Sequence, residues 1–180
     1  MRTKVCTALL LGFLIPVCCS CESRHLYNRY NLHYIFENGV NKGSYANYTR
    51  WPGHGFVPYN TGLHAYPSGD RIWFKPDAGL GVTYEFNPGR MGMSAKQYVD
   101  LITSPAPVSY EGLNDADHEG IQTGNAMVGM TKQGVMIALG YPAKHLTASL
   151  EQNRWFYWKG RHHKYAVEFD DTGVVVSIMH

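Results

Sequence analysis

Cysteine stops at position 21. Cys6, Cys18, Cys19 and Cys21 are the only four in the 180-residue chain, so no disulfide framework or cysteine-ligated zinc can organise the 159 residues after them. The body of the protein has to be held by burial and hydrogen bonding alone. At 44% hydrophobic and 17% charged residues it has the material for a core, and neither intrinsic disorder nor nucleic-acid binding by bulk electrostatics fits a formal net charge of +2.

The cysteines belong to a segment with its own logic. Arg2 and Lys4 precede an apolar run over residues 5–17, closed by Cys18-Cys19-Ser20-Cys21. A positive start, a short apolar stretch and a small residue at its end are the marks of a cleaved export signal, and the run is too short to span a bilayer. Ser20 is small and polar residues come after Cys21, so cleavage is expected before Cys21. The pattern resembles a bacterial lipobox with Cys18 at the third position upstream, and Cys18 and Cys19 are alternative acylation sites. Acyl chains on the cysteine, at about 0.8 kcal/mol per buried methylene, anchor a protein without a spanning helix. Cleavage removes two cations and no anion, which leaves the mature chain formally neutral. An acyl anchor then suits it better than a polybasic surface. All nine histidines remain, so the charge turns positive below about pH 6.5.

Residues 23–88 are rich in Tyr, Gly and Pro. The spacing predicts short strands over 31–37, 45–51, 61–66, 70–75 and 81–86, separated by Asn38-Gly39, Trp51-Pro52-Gly53, Pro67-Ser68-Gly69 and Pro76-Asp77-Ala78-Gly79. Five such strands suggest a small all-β barrel, and the stretch 57–62 resembles bacterial SH3-like modules. Tyr45, Tyr48, Trp51 and Tyr59 are candidates for a groove that takes a peptide or a glycan, although most aromatics in a small β core simply fill it. His33, His54 and His64 show no metal-ligand spacing.

Ser94 with Gln97 three residues on forms a capping box, and Tyr98, Leu101 and Ile102 make the apolar face of a helix that Pro105 and Pro107 stop. Residues 109–120, with Asp115, Asp117, His118 and Glu119, read as an acidic, solvated linker. They match neither a calcium loop nor a nucleophile beside a base. A strand is expected after Gly120, then a two-turn helix with Thr131 as N-cap, Val135, Ala138 and Leu139 on its apolar face, Gly140 at its end and Pro142 beyond. Gly134 stands inside that helix, where a better helix former is usual. Strands over 153–158, 164–169 and 174–178 complete the chain as a meander, with a tight turn at Asp170-Asp171-Thr172-Gly173.

Gly129-Met130-Thr131, Val135, Ala138-Leu139-Gly140, Pro142, Asn153-Arg154-Trp155, Tyr157, Phe169, Gly173 and Ile178, entered by Ile121-Gln122-Thr123-Gly124-Asn125, resemble the signature of the BamE family, also called SmpA/OmlA, over residues 120–178. The resemblance implies an α+β fold in which two helices pack on a three-stranded antiparallel sheet, here preceded by the SH3-like barrel. The helix over 94–103 is available as the first of the two. The resulting domains are a signal peptide over 1–20, a β-rich module over 21–90, a helix and linker over 91–119, and a BamE-like domain over 120–180.

The resemblance further implies a non-enzymatic lipoprotein on the periplasmic face of the outer membrane, with no cofactor and no nucleic-acid partner. It would dock on an envelope protein, in that family a component of the β-barrel assembly machinery, or on an anionic lipid headgroup. Ile121, Gln122 and Asn125 carry over from the family's interface, with Arg154 and Trp155 as further contacts. Lys159, Arg161, His162, His163 and Lys164 form a second candidate for anionic headgroups, on a hairpin tip. The competing function is binding of cell-wall glycan by the aromatic N-terminal module. An enzyme is the weakest reading, since no Gly-x-Ser-x-Gly, His-Glu-x-x-His or phosphate loop occurs.

Overall fold

The computed structural model describes residues 24–49, 53–160 and 162–180. The cysteines, Trp51 and Arg161 therefore lie outside the described residues. Among the described residues strands make up 39% and helices 19%, arranged as one curled eight-stranded sheet, a separate three-stranded sheet and four helices. This overturns the expected fold class, a two-helix layer on a three-stranded sheet behind a five-stranded barrel.

The large sheet is built from β1 (His25–Asn28), β2 (Leu32–Glu37), β3 (Val40–Ser44), β4 (His54–Val57), β5 (Gly62–Ser68), β6 (Arg71–Pro76), β7 (Val82–Glu85) and β8 (Thr103–Ser104). Its order is β4-β2-β3-β7-β6-β5-β1-β8, antiparallel except for the β3–β7 pair. The strands expected over 31–37, 61–66, 70–75 and 81–86 fall close to β2, β5, β6 and β7, whereas the one expected over 45–51 does not form: the chain leaves β3 in a turn at Tyr45-Ala46, and only Tyr48 makes an isolated bridge, to Trp158. The strands missed in the sequence are short or polar: β1 and β4 have four residues each, β3 reads Val-Asn-Lys-Gly-Ser, and β8 is two residues that add an edge to β1. The β2–β3 turn uses Asn38 (φ 52°) and Gly39 (φ 81°), the paired positive φ of a type I′ hairpin. Helices α1 (Pro88–Met91) and α2 (Ala95–Ile102) cover one core, α2 opening with the Ser94–Gln97 capping box.

The second core lies under α3 (Asp115–Thr123), α4 (Lys132–Leu139) and the small sheet of β9 (Arg154–Gly160), β10 (His163–Phe169) and β11 (Val175–Met179). The expected solvated linker is instead the start of α3. Its Asn114–Asp117 capping box closes the helix N-terminus, and Asp117 is completely buried. The expected strand after Gly120 is instead the end of α3, which Gly124 terminates at φ 66°. The acidic composition misled because its carboxylates serve the helix end: Asp115 and Asp117 occupy the first turn, where anions are favoured.

Asp117 also explains Gly134. Its carboxylate accepts from the Thr131 backbone N–H at 2.7 Å and from the Thr131 hydroxyl, so one side chain fixes the starts of both α3 and α4. A methyl carbon on Gly134 would overlap that carboxyl group and lie 2.9 Å from the Asp117 Cβ. Helix propensity gives way to close approach at this position.

The far end of α4 is where the two cores join. The last carbonyls of a helix have no partner within it. Here the Ile137 carbonyl accepts from the Asn31 backbone N–H at 2.9 Å, Ala138 from His33 Nε2 at 2.7 Å and Leu139 from Asn47 Nδ2 at 2.7 Å, all donors of the large sheet or of the loops beside its strands. The Gly140 carbonyl accepts from the Tyr157 hydroxyl at 3.0 Å. Gly140 takes φ 76° and ψ −169°, a region open essentially to glycine, and any Cβ there would stand 2.6 Å from Asn47 Nδ2. Tyr30 and Tyr141, in edge-to-face contact, pack against both cores.

Candidate functional site

Two hollows open along this junction. The first, about 420 Å³, is walled by Phe56 of β4, Pro58 and Tyr59 beyond it, and His118, Ile121 and Gln122 of α3, with Asn31 at its base. Its walls are fixed by buried hydrogen bonds. The Asn31 side chain donates to the Ile121 carbonyl at 2.8 Å while accepting from the Tyr59 backbone N–H at 2.9 Å, so one amide ties α3 to the loop opposite. Gly124 lets α3 end against Phe56 and His33, since a Cβ there would lie 2.8 Å and 3.1 Å from ring carbons of the two.

The second hollow, about 300 Å³, has Tyr30, Tyr110, Met136, Ile137, Leu150 and Trp155 as its surface and Lys132, Gln133 and Glu151 at its rim. Tyr59 of the first hollow and Tyr110 of the second stand side by side, ring centroids 6.2 Å apart, and the Tyr110 hydroxyl donates to the Arg29 carbonyl. Burial, with the Tyr141 hydroxyl beside it, raises the Tyr30 phenol well above its ordinary range, and burial raises Tyr110. Both stay neutral donors. Lys132 Nζ is held by the Glu151 carbonyl and lies 5.8 Å from the Trp155 ring centroid. An apolar, aromatic surface with few polar groups, placed between two packed units, is the usual character of a binding cleft.

Beneath the first hollow sits a pair of histidines. His33 is buried, its Nε2 faces the Ala138 carbonyl, and its Nδ1 meets His54 Nε2 at 2.9 Å. A carbonyl only accepts, so His33 carries its proton on Nε2 and presents Nδ1 as an acceptor, to which His54 donates. Burial, partly offset by the Ala138 bond, lowers His33 to about 4, and burial also lowers His54. The sequence shows these histidines 21 positions apart with no spacing signal. Strand pairing brings them together. His64 lies elsewhere, across the β1–β5 pair from His25, which is bonded to Asp77 at 2.8 Å.

The other expected site residues scatter. Ile121 and Gln122 share the first hollow, whereas Asn125 lies by a separate pocket of about 60 Å³ with Thr49, Lys159 and Tyr165. Arg154 is exposed and engaged by Glu168 on the neighbouring strand. Trp155 is buried, its indole N–H donating to the Leu150 carbonyl at 3.2 Å, and it lines the second hollow. Lys159 is half-buried, and His162, His163 and Lys164 are exposed on the β9–β10 hairpin. Of the proposed groove aromatics, Tyr45 is core and bonds Arg90, Tyr48 packs against the core, and Tyr59 lines the first hollow. Tyr30, Phe56 and Tyr110 were missed, because an aromatic in a groove reads in sequence like an aromatic in a core.

Comparison with protein-family profiles, with curated proteins and with solved structures finds no match.

Proposed function

We propose that the chain is a non-enzymatic, lipid-anchored envelope protein, an accessory of outer-membrane assembly or maintenance that docks on a partner protein through the Ile121–Gln122 hollow. One observation carries this reading. Gln122, exposed, and Ile121, buried in the second core, line a hollow whose opposite wall is aromatic and whose two sides are tied by Asn31, so little ordering cost attends docking there. Phe56, Pro58, Tyr59 and Ile121 offer an apolar seat for a partner's anchor side chain, and Gln122 and His118 supply the polar margin. The lipobox-like Cys21, with Cys18 and Cys19 as alternatives, supplies the acyl anchor. A tagged, lipidated chain crosslinked in native membranes tests the reading. Gln122→Ala together with Tyr59→Ala, both lining the hollow outside the buried core, should remove the partner recovered by the parent chain while leaving the urea midpoint of the chain unchanged. Recovery of β-barrel assembly components would identify the machine served, and unchanged recovery by the double variant would refute docking at this surface.

A second reading, binding of cell-wall glycan, has one specific observation behind it. Tyr66 and Trp73 stack at 5.1 Å across β5 and β6, and Trp73 is 43% exposed. Such a pair offers a saccharide an apolar face, and Arg71 and Lys75 of the same strand are also exposed. Co-sedimentation with purified peptidoglycan that Trp73→Ala abolishes would favour this reading over the first.

A further inference from the structure

We propose that the docking hollow is proton-gated: a second proton on the His33–His54 pair releases the β4 edge, withdraws Phe56 from the hollow and discharges whatever is docked there. The inference rests on the docking reading only for what is discharged. The gate itself follows from hydrogen-bond chemistry.

His54 and Phe56 sit on β4, an edge strand of the large sheet, and alternate positions of a strand share a face. Phe56 is register partner to His33, with the two rings 5.6 Å apart, and the imidazoles of His33 and His54 lie within 11° of parallel. The pair can take one proton without losing a bond. A proton arriving at His54 Nδ1 leaves its Nε2–H donating to His33, and His33 still donates to Ala138. A second proton cannot be placed this way. It must go to His33 Nδ1, which sets two N–H donors and two like charges face to face across 2.9 Å.

Among the described residues nothing nearby relieves that conflict. The titratable group packed against the pair is Tyr84 of β7, neutral throughout this range, and His118 of α3 lines the same hollow as Phe56. Among the described residues, neither imidazole is acted on by a carboxylate. The Ala138 carbonyl and the negative end of α4 favour a cation at His33, and burial outweighs them. Of the two rings His54 is the less buried and His33 is enclosed by α4 and Gly124, so His54 is the one that leaves, carrying the β4 edge.

Amide hydrogen exchange and ¹⁵N imidazole spectra of the full chain, recorded between pH 7 and 4, test the gate with no partner present. At neutral pH both rings should show the Nε2–H tautomer. On acidification His54 titrates first, and then amides of residues 54–57 and 121–124 should exchange at least ten-fold faster than the change in intrinsic rate allows, while residues 155–157 stay protected. His54→Gln separates gating from general acid unfolding. A glutamine amide can donate to the neutral His33 Nδ1 or, turned over, accept from the protonated one, so this variant should stay closed where the parent opens. His33→Gln, which removes the enclosed imidazole, should resist acid in the same way. The gate is overturned if His54→Gln opens at the parent's pH, or if residues 155–157 lose protection together with 54–57. An exchange gate without partner capture at neutral pH would sink the docking reading and leave the gate standing. Capture that is equal at pH 7 and 4.5, with no exchange gate, would do the reverse.

Discussion

Gly134→Ala sets two physical arguments against each other with opposite signs. Propensity alone predicts that alanine in place of a helical glycine stabilises by about 1 kcal/mol. The packing around Asp117 predicts the reverse. The new methyl would occupy the place of the buried Asp117 carboxyl group, which must then leave the backbone N–H groups of Asn114 and Thr131 and the Thr131 hydroxyl. Hydrogen bonds to a charged group are worth roughly 1.5–3 kcal/mol each. Losing two of the three outweighs the propensity gain, so Gly134→Ala should destabilise by roughly 2–5 kcal/mol. Urea unfolding followed by far-UV circular dichroism gives the number directly. The double variant with Asp117→Ala sharpens it: the methyl then fills vacated space, and the pair should cost at least about 1 kcal/mol less than the sum of the singles. A neutral or stabilised Gly134→Ala would refute the account of how the starts of α3 and α4 are fixed.

Other consequences are separable. Asn31→Ala leaves the Tyr59 amide without a partner and the Ile121 carbonyl with only the Gly124 N–H at 3.3 Å, and should cost roughly 1–3 kcal/mol in the same assay. His33 titrates lower folded than its ordinary 6.5, so its contribution to stability is fully present above about pH 6.5 and is lost as pH falls through about 4. That amounts to roughly 3 kcal/mol between pH 7 and the acid limit. His33→Gln should flatten this part of the pH–stability curve in urea melts. Arg154→Ala, which breaks only an exposed pair with Glu168, should change stability by less than about 1 kcal/mol. If it abolishes partner capture while stability holds, Arg154 is a contact and not a strut.

Local signals in the sequence read well where one residue decides local geometry. The Ser94–Gln97 box, the Thr131 cap, the Asn38-Gly39 turn and the C-terminal meander stand where their chemistry places them. What failed was longer-range. The parallel pairing of β3 with β7 and the capture of β8 by β1 leave no local trace, and they turn a small barrel into an eight-stranded sheet. Asp117 looked solvated because a charged residue is seldom buried, and the partners that make its burial tolerable lie 14 positions away at Thr131. Likewise Asn31, Asn47 and His33 read as ordinary strand and loop polars, and each serves a carbonyl or an amide of a distant element. Ile121 and Gln122 were read as a pair at a strand entry, and they are adjacent residues of α3 that line one hollow. Their opposite wall, Phe56 to Tyr59, was not legible.

The central claim is that the Ile121–Gln122 hollow seats a partner. A photoreactive benzoylphenylalanine placed at Gln122 of the lipidated chain, with a second placed at the exposed Thr172 turn as control, tests it most directly. The account predicts one discrete adduct from Gln122 in native membranes at pH 7, absent from Thr172 and lost when Tyr59→Ala is added. Adducts that form equally from both positions, or that survive Tyr59→Ala, would contradict it.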